Sequence, residues 1–161
     1  MGLNQKKEKG ALFTSPYQYN NKWSIHYWLR SGSSRSHKDM KKILFIEDES
    51  ALQKTLGEIL KQEGYEITPA LDGEVGLRLA KDEKPDLILL DLILPKIHGI
   101  DVLRKLKEDE ETKEIPVIVL TNLGEIKDIN KAVELGATTY LVKAQYTLEE
   151  VVEKIKKALG E

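Results

Sequence analysis

Cysteine is absent from the 161 residues, which excludes disulfides, thiolate nucleophiles and cysteine-based zinc sites. No uninterrupted apolar run approaches the roughly 18–20 residues needed to cross a bilayer. The basic residues near the N-terminus are followed by no apolar stretch of the kind that makes a secretory signal. Together these absences point to a soluble cytoplasmic protein with no membrane partner. Apolar residues make up 40% of the chain, enough to supply the core of one ordinary domain.

The formal net charge of −2 conceals two unlike segments. Residues 1–39 hold seven basic and two acidic side chains, and residues 40–161 hold 18 basic and 25 acidic ones. The first segment has no helical or strand period, ends in the linker-like Ser31-Gly32-Ser33-Ser34-Arg35-Ser36, and contains both tryptophans, Trp23 and Trp28. We read it as a disordered extension, or as sequence upstream of a natural start at Met40. Binding of single-stranded nucleic acid or of an anionic membrane by its basic and aromatic residues is the sharper alternative.

From Met40 onward, strand-like and helix-like stretches alternate. Ile43–Ile46 is a short apolar strand leading into Glu47-Asp48-Glu49. Ser50 and Gln53 then have the spacing of a capping box, followed by a helical stripe of Leu52, Leu56, Ile59 and Leu60 that Gly64 closes. A second strand covers 65–70, with Pro69 suggesting a sheet edge. Asp72 can cap the next helix, in which Gly76 is expected to cost about 1 kcal/mol relative to Ala. Leu87 to Leu90 runs directly into Asp91, apolar on both faces as a strand in the middle of a parallel sheet must be. A helix with Val102, Leu103 and Leu106 follows Gly99. The strand 117–120 ends at Thr121, a helix around Ile126 to Val133 stops at Gly136, and the strand 139–142 delivers Lys143. Thr147 and Glu150 form a second capping box before a last helix striped with Leu148, Val151, Val152, Ile155 and Leu159.

Five such pairs imply an α/β domain over residues 40–161, a doubly wound parallel sheet joined by right-handed crossovers, with no second folded domain after it. In that architecture the carboxyl ends of the strands share one edge, so Glu47, Asp48, Asp91, Thr121 and Lys143 converge on one crevice. Each alone has a plainer reading: Asp48 as a helix cap, Lys143 as a surface lysine. Jointly they make a chemical site. Three clustered carboxylates repel one another unless a cation is present, and a set of hard oxygens suits Mg²⁺. Asp91 is then a nucleophile able to form an aspartyl phosphate, with Lys143 and the Thr121 hydroxyl meeting the other phosphoryl oxygens. No residue is placed as a base for activating water, which favours a long-lived product over turnover. His98 lacks partners at ligand spacing and reads as a surface residue, and Tyr146 reads as packing on the last helix.

Ile46-Glu47-Asp48-Glu49, Asp91-Leu92-Ile93-Leu94-Pro95 with Gly99, Thr121, and Tyr140-Leu141-Val142-Lys143 together resemble the response-regulator receiver domain. The resemblance covers residues 40–161. It implies a flavodoxin-like (βα)5 fold with strand order 2-1-3-4-5, and phosphoryl transfer to Asp91 from a sensor histidine kinase or histidine phosphotransfer protein in two-component signalling. It also implies Mg²⁺ held by Glu47, Asp48, Asp91 and the backbone carbonyl of Ile93, and a switch through Thr121 and Tyr140 that alters a surface for a downstream protein target.

Two positions depart from that pattern. Ala144 stands where the family usually has Pro after the lysine, so the Lys143–Ala144 bond is expected to be trans and the loop reshaped, because a cis bond there would cost about 2.5–4 kcal/mol. Asn122 is bulkier than the usual small residue and is expected to narrow access. Ile93 and Leu123, both aliphatic, should flank the crevice without orienting water, which implies slow loss of phosphate. Ile93 also stands where an aspartyl-nucleophile phosphatase needs its second carboxylate, so no enzyme is expected.

The expectation is therefore a single-domain phosphoacceptor, monomeric or weakly dimeric. A receiver that binds partners without being phosphorylated is the alternative. A nucleic-acid-binding regulator ranks last, since no helix-turn-helix pattern follows the domain.

Overall fold

The computed structural model describes residues 40–122 and 126–161. The expected N-terminal extension and the expected flanking role of Leu123 lie outside the described residues.

The elements alternate strictly: β1 Lys42–Ile46, α1 Ser50–Gln62, β2 Glu66–Ala70, α2 Gly73–Glu83, β3 Leu87–Asp91, α3 Gly99–Glu108, β4 Val117–Thr121, α4 Ile126–Glu134, β5 Thr139–Val142, a 3-10 turn Lys143–Gln145, and α5 Leu148–Leu159. The strands form one parallel sheet in the order β2-β1-β3-β4-β5. This is the doubly wound, flavodoxin-like arrangement.

Strand side chains alternate between two cores, as a period of two requires. Leu44, Ile46, Ile88 and Leu90 pack with α2 and α3 through Ala80, Val102, Leu103 and Leu106. Ile43, Phe45, Leu87 and Leu89 pack on the other face with α1 and α5 through Leu56, Leu60, Val151, Val152 and Ile155. Every residue of β3 is buried, so Asp91 is carried to its place by four fully buried aliphatic neighbours. Pro69 lies exposed on the edge strand β2, where a missing N–H is tolerated. Among the described residues no helix is long and apolar enough to cross a membrane.

The local signals were met unevenly. Asp72 caps α2 by accepting from Val75 N at 2.9 Å, and Thr147 with Glu150 forms the reciprocal box at α5. The box expected at Ser50 and Gln53 does not form. Glu49 is the N-cap of α1 and makes no side-chain cap bond. The Gln53 amide turns inward and donates to the carbonyls of Phe45, Glu47 and Ala70 at 3.3, 3.2 and 3.1 Å. Those carbonyls lie at or near the ends of β1 and β2, and that of Ala70 also accepts from Glu47 N at 3.0 Å, so the amide ties the two strand ends together.

Gly76 is also more than a weak point in a helix. A Cβ there would collide with the side chain of Ile46, which is fully buried; the glycine lets α2 lie close on β1. His98 is exposed as expected, but it is the N-cap of α3, its Nδ1 accepting from Ile100 N at 3.3 Å. Tyr146 packs beside the α1/α5 core.

Candidate functional site

Each site residue sits where a strand runs out. After Ile46 the chain leaves β1 through Glu47, which is fully buried, and Asp48, which is exposed. Asp91, 2% exposed, is the last residue of β3. The turn that follows folds back on it: Ile93 N donates to Asp91 Oδ1 at 3.1 Å, and Gly99 N donates to the Leu92 carbonyl at 2.8 Å. Gly99 is required at that point, because a Cβ would run into the Asp91 carbonyl oxygen and the Leu92 backbone.

Lys143, first residue after β5, reaches across the end of β4. Its Nζ lies 2.8 Å from Asp91 Oδ2 and 2.6 Å from Glu47 Oε2. The other Glu47 oxygen accepts from Glu49 N at 3.2 Å. One oxygen from each of Glu47, Asp48 and Asp91 lies within 4.8 Å of the other two.

The titration behaviour follows from this packing. Burial pushes the Glu47 carboxyl above the ordinary carboxylate value; the charge of Asp91 adds to the rise, while the hydrogen bond from Lys143 opposes it. Burial acts to lower Lys143, but its hydrogen bonds to Asp91 and Glu47 outweigh that and hold the ammonium above the usual lysine value. The cluster thus holds more negative charge than its single lysine balances. All-oxygen donors, one of them exposed, form the kind of set that a hard divalent cation takes, with room for retained water. The residues present fit Mg²⁺.

The remaining expected residues are less engaged. Thr121 is buried at the end of β4, but its hydroxyl donates to the Asn122 carbonyl at 2.9 Å. Ile93 exposes 55% of its surface beside the crevice, and Asn122 is exposed. Tyr140 lies on β5 and is 42% exposed. No cis peptide occurs among the described residues, so the Lys143–Ala144 bond is trans, and Lys143–Gln145 forms a 3-10 turn. Gln53, which ties the Glu47 carbonyl to the end of β2, was missed as a site residue because its spacing from Ser50 imitated a cap.

A model of the response regulator receiver domain matches residues 43–156. The chain belongs to that family. Receiver domains are modules of two-component signalling, phosphorylated on aspartate, that bind Mg²⁺ in an acidic site.

Over 120 residues this receiver is 40% identical to the DNA-binding dual master transcriptional regulator RpaA of Synechocystis, a match covering 74% of this chain and 49% of that protein. It is 36% identical over 118 residues to sporulation initiation phosphotransferase F of Bacillus subtilis, covering 73% and 93% respectively. The chain spans about half the length of most of the curated relatives it matches. Among solved structures, a CheY-like receiver domain from Methanospirillum hungatei superposes with a TM-score of 0.71 at 28% identity, covering 76% of this chain and 95% of that one. The receiver domain of the Pseudomonas aeruginosa sensor histidine kinase PA1611, described with magnesium coordinated in its active-site cleft, superposes with a TM-score of 0.69 at 27% identity, covering 76% and 99%.

Proposed function

We propose that Asp91 is the phosphoacceptor of this receiver domain, taking its phosphoryl group from a phosphohistidine of a sensor kinase or phosphotransfer protein. An Asp91 carboxylate oxygen forms the new O–P bond as the N–P bond breaks, and the departing imidazole keeps the electron pair and takes up a proton. The observation that carries the reading is the Lys143 ammonium held against both Asp91 and Glu47. Its charge lies 2.8 Å from the attacking carboxylate and stands ready for a phosphoryl oxygen. Glu47, Asp48, Asp91 and the Ile93 carbonyl would hold Mg²⁺, which supplies charge neutralisation for the incoming phosphoryl oxygens. The Thr121 hydroxyl is free to exchange its local acceptor for a phosphoryl oxygen, and Tyr140 follows by changing rotamer, so that the surface around α4 and β5 alters for a downstream protein.

The likeness to the sporulation phosphotransferase, nearly the whole of which is matched, supports a role as relay intermediate or as a regulator acting by protein binding. Incubation of the full chain with acetyl phosphate and Mg²⁺, followed by intact-mass measurement, tests this. The parent should gain one phosphoryl group and Asp91→Ala none. A parent that stays unmodified at saturating donor, or an Asp91→Ala variant that is still labelled, refutes the assignment and leaves a phosphorylation-independent interaction module.

A further inference from the structure

The turn between β3 and α3, which carries Ile93, is held from outside the acidic site. At its far side Lys96 has φ 68°, one of two non-glycine residues with positive φ among those described. Ile97 N donates to the Pro95 carbonyl at 2.8 Å across it, closing a three-residue turn of the strained γ type. Such a conformation persists only where the surroundings over-determine it.

The surroundings are the start of α2. Lys96 Nζ lies 2.6 Å from Asp72 Oδ2, and the other Asp72 oxygen accepts from Val75 N at 2.9 Å, so one buried carboxylate caps the helix and grips the turn together. Glu74, on the first turn of the same helix, lies 3.9 Å from the ammonium. Close packing beside the pair allows the turn no slack: a Cβ on Gly73 would lie 2.6 Å from Val102 Cγ2 and 3.3 Å from the Ile97 carbonyl oxygen. Lys96 and its hydrogen bond hold Asp72 below the usual carboxylate range, so the pair is charged at neutral pH.

We propose that Asp72 and Lys96 are positioning residues that fix the β3–α3 turn against α2 and thereby set the affinity of the acidic site for a divalent cation. This rests on the reading of Ile93 as a backbone ligand. Neither side chain reaches the carboxylates; both act through the seven-residue turn whose other end is pinned by Asp91 Oδ1 and Leu92. A turn free to relax at Lys96 would present the Ile93 carbonyl in a spread of orientations, and a small octahedral ion discriminates strongly against such spread.

Titration of the full chain with Mn²⁺, followed by the loss of the free-ion signal in electron paramagnetic resonance, tests this without depending on phosphorylation. Lys96→Met should raise the Kd about tenfold, the low end of what supporting contacts to metal ligands carry. Asp72→Asn, which keeps an oxygen for the helix cap, should match it. The double variant should be no worse than either single one, and Lys96→Arg should stay within about twofold of the parent, an effect a general loss of stability would not reproduce. An unchanged Kd in Lys96→Met while Asp48→Asn still abolishes binding overturns the proposal alone, as do additive effects in the double variant. Binding indifferent to Asp48→Asn overturns the metal assignment and this proposal with it.

Discussion

Replacing Lys143 by Met in protein stripped of divalent ions isolates the electrostatics of the site. The side chain keeps its length and apolar stem but loses the charge shared by Glu47 and Asp91, whose side chains are 0% and 3% exposed. Removing one partner of a buried ion pair costs about 3–5 kcal/mol, because the other charge is left uncompensated. The crevice opens to water at the exposed Asp48, so the low end, about 3 kcal/mol, is expected at neutral pH. That is a large part of the roughly 5–15 kcal/mol that holds a domain folded.

Two treatments should restore it. Glu47 has a folded pKa above its unfolded one, so the folded state binds the extra proton and stability falls as pH rises between those two values. Without Lys143 the hydrogen bond that restrains this rise is gone, and the window extends upward. The deficit relative to the parent should therefore shrink as pH is lowered from 7 to 5. Mg²⁺ at a hundred times its Kd should return about 2.7 kcal/mol. Urea unfolding followed by far-UV circular dichroism, at both pH values and with chelator or Mg²⁺, measures all of these. A deficit under 1 kcal/mol at pH 7, or one unmoved by acid and metal alike, would refute the account of the cluster.

Gly76→Ala should destabilise the protein by about 1 kcal/mol: the helix-propensity gain of about 1 kcal/mol is outweighed by about 1–3 kcal/mol of overpacking against Ile46, and a raised Tm would contradict this. Ile93→Asn places a polar side chain beside the crevice, and phospho-protein made from it should lose its phosphate faster than the parent by timed intact mass; an equal or slower loss counts against Ile93 as the residue that shields the site. Lys107→Met removes an ammonium that donates to the Lys113 and Ile115 carbonyls at 2.9 and 2.8 Å and should cost about 1–3 kcal/mol; urea unfolding indistinguishable from the parent would show that water replaces it.

How far the sequence carries depends on the range of the interaction. The alternation of buried strands with striped helices identifies the five βα pairs, and Asp91 stands out because a charge ends an otherwise apolar run. Asp72 and Thr147 were legible as caps because their partners lie three residues away. The order of the strands came from family resemblance, since periodicity gives no neighbour. Gln53 escaped for a physical reason: its acceptors lie on β1 and at the end of β2, and only the packing of α1 on the sheet brings them within reach. Lys96 escaped likewise, its partner lying 24 positions away on another connection. Gly76 was read by intrinsic propensity, whereas its neighbour Ile46 decides its worth.

The reach of Lys143 to Glu47 joins groups 96 positions apart in the chain. Such a contact forms only when the last strand has docked, because closing so long a loop must be offset by most of the sheet's own burial. A nascent or truncated chain that stops short of β5 carries its acidic groups without their internal counter-charge. On the reading of Asp91 as phosphoacceptor, the ammonium proposed to meet the phosphoryl group would reach its place only with the final strand.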